Sequence, residues 1–304
     1  MLIANPIYDV VFKYMMEDKK VARLLISAII GEKVLDLEFL PQENISEGEG
    51  KIEMLTVYHI DFSANVETPE GHKSVIIEMQ KAKNVTDIMR FRRYLGGRYQ
   101  DQRNVHVDAT NVSHARQIYC IFFLGYDIGI SDASLLEVDS RVRDRMTGKE
   151  FTANGEFIEG LHHRSWIIQI SRLKSRRRDD LERLLAIFDQ ENTDENRHYL
   201  FLPEEGIPKE YNPILRRLQR AIGTPQMRAE MTREDFDIEE RRITERTHAM
   251  AIEEKDKVIE EQAKALVERE QALEEQAKAI EEQAKAIENL AREIEALKRT
   301  PGKA

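Results

Sequence analysis

The stretch VYHIDFSANVETPEGHKSVIIEMQ, residues 57–80, decides the fold. From Val57 to Val66 apolar and polar residues alternate. Tyr58, Ile60, Phe62, Ala64 and Val66 fall on one side, and Val57, His59, Asp61, Ser63 and Asn65 on the other. That period of two predicts a strand with one apolar face. Thr68-Pro69-Glu70-Gly71 has turn chemistry, because Pro presets φ and Gly accepts a positive φ. A second strand follows from Ser74, with Ser74, Ile76, Glu78 and Gln80 on a shared face. A hairpin centred between Pro69 and Glu70 pairs residues whose numbers sum to 139, so Asp61 faces Glu78. Directly opposed side chains project to the same face with Cβ atoms ~4.5–5.5 Å apart, where like charges repel. A divalent cation offsets that repulsion, since Mg²⁺ takes hard oxygen ligands and binds through one or two carboxylates plus water and phosphate. A register slipped by one residue would instead put the acids on opposite faces of an ordinary polar strand.

The rest of the chain supplies a domain around this hairpin. Tyr8 to Ile30 carries an apolar stripe at helical spacing, with Gly31 placed to end the helix. Val34 to Leu40 reads as a strand, stopped by Pro41. After Gln80 a helix is expected from about Thr86 to Gln102, with Ile88, Phe91, Leu95 and Tyr99 as its core face. Arg90, Arg93, Tyr94 and Arg98 gather on another arc. Gln117 to Tyr126 (QIYCIFFLGY) is a continuous apolar strand of the kind buried inside a sheet. Phe151 to Glu156 and Trp166 to Ser171 are further strand candidates, and Asp179 to Asp189 a helix. This order describes an α/β domain with a mixed sheet. The single cysteine, Cys120, lies in an apolar run, which excludes a disulfide framework and a cysteine-based zinc site.

From about Thr232 the composition shifts to Glu, Gln, Lys, Ala, Arg and Ile. EEQAKAL at Glu260 recurs as EEQAKAI at Glu274 and Glu281. Ile252, Ile259, Leu266, Leu273, Ile280, Ile287 and Ile294 are spaced by seven, with Ala263, Ala277, Ala284 and Ala291 three before and Glu270 as the exception. These are heptads with aliphatics at d and mostly Ala at a. A coiled coil, hence a homo-oligomer, is favoured over a lone helix held by Glu–Lys pairs, with strand number and orientation open. The organisation expected is a domain over 1–190, an extension or linker over 191–231, a long helix over 232–299 and a disordered tail over 300–304.

Charge narrows the function classes only slightly. The chain has 46 Lys+Arg against 56 Asp+Glu, a net charge of −10, but the charges are uneven, so the total is a poor guide to partners. No run approaches the ~20 apolar residues needed to span a bilayer, and no basic-then-apolar leader opens the chain. A cytoplasmic protein with no membrane partner is the expectation. His162-His163 reads as structural, and no P-loop, GxGxxG or zinc-ligand spacing is present.

Taken in order, the helix with Phe12-Lys13 (DVVFKYMM), the strand with Ile60-Asp61, the strand with Ile77-Glu78-Met79-Gln80 (IEMQ) and the helix after it resemble the PD-(D/E)XK nuclease superfamily. The bacterial branch of PD-(D/E)XK family transposases, or recombination-promoting nucleases, is the one the chain looks most like. The likeness covers about the first 190 residues. It implies a restriction-endonuclease-like core and Mg²⁺-dependent hydrolysis of DNA, with Mn²⁺ as a substitute metal. It further implies that Asp61, Glu78 and the Met79 carbonyl hold the metal, while Asp61, Glu78 and Gln80 form the catalytic set. The metal would lower the pKa of a bound water and stabilise the leaving oxygen. Gln80 departs from the superfamily's usual lysine. A glutamine orients water but takes no proton at pH 7, so Lys83 or Lys13 is the candidate helper. DNA phosphates would be met by Arg90, Arg93 and Arg98 and by the Arg172–Arg178 cluster, with Tyr94 packing against a sugar or base. A catalytically weak or inactive DNA-binding or scaffold protein on the same fold is the alternative.

Overall fold

The computed structural model describes residues 1–40, 62–81, 87–151, 156–174, 177–203 and 206–298. Its elements run β1 (Leu2–Ala4), α1 (Asp9–Met16), α2 (Lys19–Ile30), β2 (Asp36–Phe39), β3 (Phe62–Thr68), β4 (Gly71–Gln80) and α3 (Asp87–Gln100). There follow β5 (Val105–Val107), β6 (Ser113–Ala115), β7 (Gln117–Leu124), β8 (Leu135–Val138), β9 (Val142–Arg143), β10 (Glu150–Phe151), α4 (Glu156–Leu161) and β11 (His163–Gln169). The chain closes with α5 (Asp180–Leu185), β12 (Tyr199–Phe201), α6 (Asn212–Ile222) and α7 (Pro225–Lys298). Two units divide it, Met1–Glu234 and Asp235–Ala304.

The first unit is α/β, built on a six-stranded mixed sheet of order β2-β3-β4-β7-β11-β8. β4, β7 and β11 are mutually parallel, and β2, β3 and β8 run antiparallel to their neighbours. The hairpin register is the one the turn predicts: Phe62 pairs with Ile77, Ala64 with Val75 and Thr68 with Gly71. The turn holds itself, since Thr68 Oγ1 accepts the Glu70 amide at 3.2 Å and donates to the Gly71 carbonyl at 3.1 Å. Gly71 takes φ 117°, closed to residues with a Cβ. β7 is central, as its unbroken apolar run requires, and Tyr119, Cys120, Ile121 and Phe123 are all buried.

The sheet has two unequal faces. Phe62, Ala64, Val66, Val75 and Ile77 join the main core with α1, α2 and α6. Phe12 meets Phe123 there, ring centroids 5.9 Å apart. On the other face Ile76, Ile118 and Cys120 form a smaller cluster under Phe91 and Tyr94 of α3.

Several expected elements differ. The single helix expected over Tyr8–Ile30 is two, because Asp18 turns extended (φ −82°, ψ 110°) and its carboxylate caps the amides of Lys20 and Val21. Gly31 does end α2, in the left-handed conformation. On α3 the inward stripe is Phe91, Tyr94, Leu95 and Arg98, while Ile88 is 61% exposed and Tyr99 is also exposed. Around Phe151 only the two-residue β10 forms before residues 152–155, which lie outside the described set, and α4 begins at Glu156. The strand near Trp166 starts earlier, at His163, and gives way to a 3₁₀ turn at Ile170. The helix expected over Asp179–Asp189 is α5 and a following 3₁₀ turn over Ala186–Phe188.

The described residues of the 191–231 segment pack onto the domain: β12 pairs with β1, and α6 buries Ile214, Leu215, Leu218 and Ala221. Met227 and Met231 carry that packing into the first turns of α7. Within the second unit α7 continues to Lys298, and Ile252, Ile259, Leu266, Leu273, Ile280, Ile287 and Ile294 are each 53–67% exposed.

Candidate active site at the end of the central hairpin

Strand alternation sets the chemistry of β4. Val75, Ile77 and Met79 turn towards the main core, whereas Ser74, Ile76, Glu78 and Gln80 turn towards α3. Glu78 pairs in register with Phe122 of β7, whose ring meets Phe91 of α3 at 4.2 Å. Glu78 is 1% exposed and Gln80 7%. A carboxylate taken this far from water has to be compensated by hydrogen bonds, an opposite charge or a cation.

Gln80 is fixed from two directions. Its carbonyl accepts the Gly125 amide at 2.7 Å, and its Oε1 accepts the Tyr126 hydroxyl at 3.4 Å. Gly125 allows the close approach, because a Cβ there would stand 2.3 Å from the Lys81 carbonyl oxygen. Tyr126 was not singled out in the sequence, although it ends the apolar QIYCIFFLGY run whose parallel pairing with β4 brings it beside Gln80.

Asp61 and Lys83 lie outside the described residues, as does the side chain of Arg90. Lys13 is on α1, against the main core, with its ammonium 2.7 Å from Asp9. Glu78 and Gln80 are on the opposite face of the sheet. Lys81 leaves that face too, as alternation demands. Its Nζ lies 2.7 Å from Glu234 and 3.7 Å from the Tyr8 ring centroid. Glu234 also accepts the Asp9 amide at 3.0 Å, and burial pushes its carboxyl up despite the pull of Lys81. This Tyr8–Asp9–Lys81–Glu234 cluster escaped the sequence reading because Glu234 is more than 150 residues from its lysine.

The cations expected to meet DNA divide sharply. Arg93 is exposed, and so is Arg92 beside it. Tyr94 is 2% exposed and Arg98 5%, turned inward with Phe91. Arg98 reaches Asp101 at 3.5 Å. The Arg172–Arg178 cluster is neutralised from within the domain: Arg172 pairs with Asp127 and with Asp132 at 2.9 Å, Lys174 with Glu191 at 3.6 Å and Arg177 with Asp189 at 2.9 Å. Arg178 bonds Glu182, Nε to Oε2 at 3.0 Å. Arg176 lies outside the described residues. The described members of this cluster are thus each paired with an acid of the same unit, while the Lys174 and Arg178 side chains stay exposed. His162 and His163 bond the Ile158 carbonyl and the Tyr99 hydroxyl at 2.7 and 3.2 Å, in keeping with structural roles.

Compared with known families, with curated proteins and with solved structures, the chain finds no match. The site therefore has to be judged on its own donors. Among the described residues no group of three or more His, Cys, Asp or Glu could hold a metal ion. Glu78 does offer hard carboxylate oxygens, and Gln80 beside it an amide able to orient water. With one further carboxylate that set fits Mg²⁺, which completes its shell with water and phosphate and needs no all-protein cage. No helix among the described residues is long and apolar enough to cross a membrane.

Proposed function

We propose that the chain is a metal-dependent DNA endonuclease of the PD-(D/E)XK type, joined into homo-oligomers by its heptad-bearing tail. The observation that carries the reading is the hairpin register. The seven pairs from Phe62–Ile77 to Thr68–Gly71 all sum to 139, the register in which the sequence would set Asp61 against Glu78. Gln80, on the same face and held by Tyr126, is the group that would orient the attacking water. Mg²⁺, with Mn²⁺ as a substitute, would be held by Asp61, Glu78 and the Met79 carbonyl, and would supply Lewis acidity and a more acidic water. Glu78 and Asp61 would hold and orient the metal, and Gln80 would direct one water lone pair towards phosphorus. Among the described residues Arg92 and Arg93 are the exposed cations nearest in sequence after this strand, and they would meet the DNA backbone. A role in recombination or transposition belongs to the same proposal.

A second reading, a DNA-binding or scaffold protein with little or no catalysis, is favoured by two observations. Gln80 stands where the superfamily it resembles usually has a lysine, and the described members of the basic cluster after β11 pair with acids of the same unit. Plasmid cleavage in Mg²⁺, Mn²⁺ and Ca²⁺ separates the two. Cleavage is expected with Mg²⁺ and Mn²⁺ but not with Ca²⁺, and Asp61→Ala or Glu78→Gln is expected to lower the rate at least ~10²-fold. Full cleavage by either folded variant would end the nuclease reading. DNA binding without cleavage under every metal would establish the second.

A further inference from the structure

The exposed face of α7 carries more information than its heptad spacing. With the aliphatic series at d, the e positions are Glu253, Glu260, Val267, Glu274, Glu281, Glu288 and Glu295, almost uniformly acidic. The g positions are Lys255, Gln262, Arg269, Gln276, Gln283 and Leu290, with no acid among them. In a parallel pair g of one helix faces e of the next heptad on its partner, whereas an antiparallel pair sets e against e and g against g. Antiparallel packing would line glutamates against glutamates along the rod. Parallel, in-register packing sets Lys255 against Glu260 of the second copy and Arg269 against Glu274, and leaves no like-charged e–g pair.

The a positions point the same way. Two of them are acidic, Asp256 and Glu270, among Ala263, Ala277, Ala284 and Ala291. Each acid directly follows one of the two basic g residues, Lys255 and Arg269. In a parallel pair an a side chain enters a hole bordered by the facing a residue and the g residue just before it. Each acid in the seam would then sit beside a base from the other helix, which offsets the identical acid facing it across the seam. A shift of one heptad would set Lys255 along one flank and Arg269 along the other against Val267, so the in-register pairing is the one that keeps both e–g pairs. Within one helix Lys264–Glu260, Lys278–Glu274 and Lys285–Glu281 bond at 2.8, 3.1 and 2.6 Å, on the flank away from the g residues.

We infer that the occupant of the apolar face of α7 is a second copy of this chain, paired parallel and in register as a two-stranded coiled coil. This deepens, and rests on, the reading that the tail joins copies of the protein.

The test uses the full chain with Ala284→Cys. Cys120 stays silent because it is buried and burial pushes its thiol up to about 12. Light scattering is expected to give the mass of two chains, and mild oxidation to link most chains to themselves through residue 284. In an aligned antiparallel pair the two 284 positions would sit ~33 Å apart and would not link. A dimer that fails to link overturns the parallel register but leaves the oligomer standing. A trimer or larger assembly overturns the two-stranded form. A monomer at tens of micromolar overturns both the inference and the oligomer reading, and plasmid cleavage, measured separately, judges the nuclease reading. Arg269→Glu is expected to weaken the dimer roughly tenfold while the first unit melts unchanged. Unaltered dimer affinity would remove the charge argument.

Discussion

Glu182 illustrates how this domain treats its charges one residue at a time. It lies in the first turn of α5, where the Asp179 carboxylate caps its amide at 2.8 Å. Its own carboxylate accepts from the Arg178 amide at 2.9 Å, the Arg178 guanidinium and the Ser134 hydroxyl at 3.0 Å. The Arg178 bond is the largest influence, and the group is held down from the usual 4.5 to about 2. A carboxyl depressed in the fold contributes stability that is complete above 4.5 and is lost as pH falls towards 2. Urea unfolding at pH 6, 4 and 3 should therefore show stability falling through that window, with a flatter profile in Glu182→Gln. The variant should also be about 1–3 kcal/mol less stable at pH 6. An identical slope in the two proteins would remove Glu182 from the account. The same residue gives Arg178, which reads as a DNA contact in sequence, a partner within the fold. A basic run shows its own charges, whereas Asp127, Asp132, Asp189 and Glu182, which neutralise it, are scattered over 63 positions between Asp127 and Asp189.

At the scale of elements, β4 and β7 are locked where the candidate site begins. The Gly125 amide reaches the Gln80 carbonyl at 2.7 Å, and an added Cβ would meet the Lys81 carbonyl at 2.3 Å. Backbone cannot yield there as a flexible side chain would, so Gly125→Ala should cost about 1–3 kcal/mol, read as a lower melting temperature. An unchanged melt would mean that the two strand ends are free to part. The hairpin was legible because its turn residues dictate a register with local chemistry alone, and β7 because seven apolar residues in a row, Ile118 to Leu124, have nowhere else to go. The facing of α3 was not legible. Tyr94 and Arg98 have apolar bodies and polar tips, so sequence does not say which end the fold uses. The break between α1 and α2 was hidden by an apolar stripe that continues through Met15 and Met16 to Val21. Only the capping carboxylate of Asp18 marks it. For the site itself, the shared face of Glu78 and Gln80 followed from alternation, while Tyr126 required knowing that β7 runs parallel to β4.

At the scale of the whole chain, the boundary between units falls inside a helix, and this gives the two ends of α7 separate tasks. Its first ten residues belong to the domain: Met227 and Met231 are buried, and Glu234 holds Lys81 at 2.7 Å. Beyond Asp235 the helix exposes an aliphatic every seventh residue and is stabilised along its own length by Glu–Lys pairs such as Lys257–Glu253 at 2.8 Å. Two shortened chains distinguish these tasks. One ending at Met250 keeps every buried contact of the first unit and should melt within a degree or two of the full protein, as a monomer. One ending at Ile222 loses the burial of two methionines, at about 1.5–3 kcal/mol each, together with the partner of a half-buried lysine, and should melt well below it. The longer of the two also tests how the proposed activity depends on pairing. With a single site per molecule it should still nick plasmid in Mg²⁺ but lose double-strand breaks, which need two sites acting together. Equal double-strand cutting by the full chain and by the chain ending at Met250 would show that the tail does not couple the sites, because the hydrolytic residues are the same in both and only the second copy has been taken away.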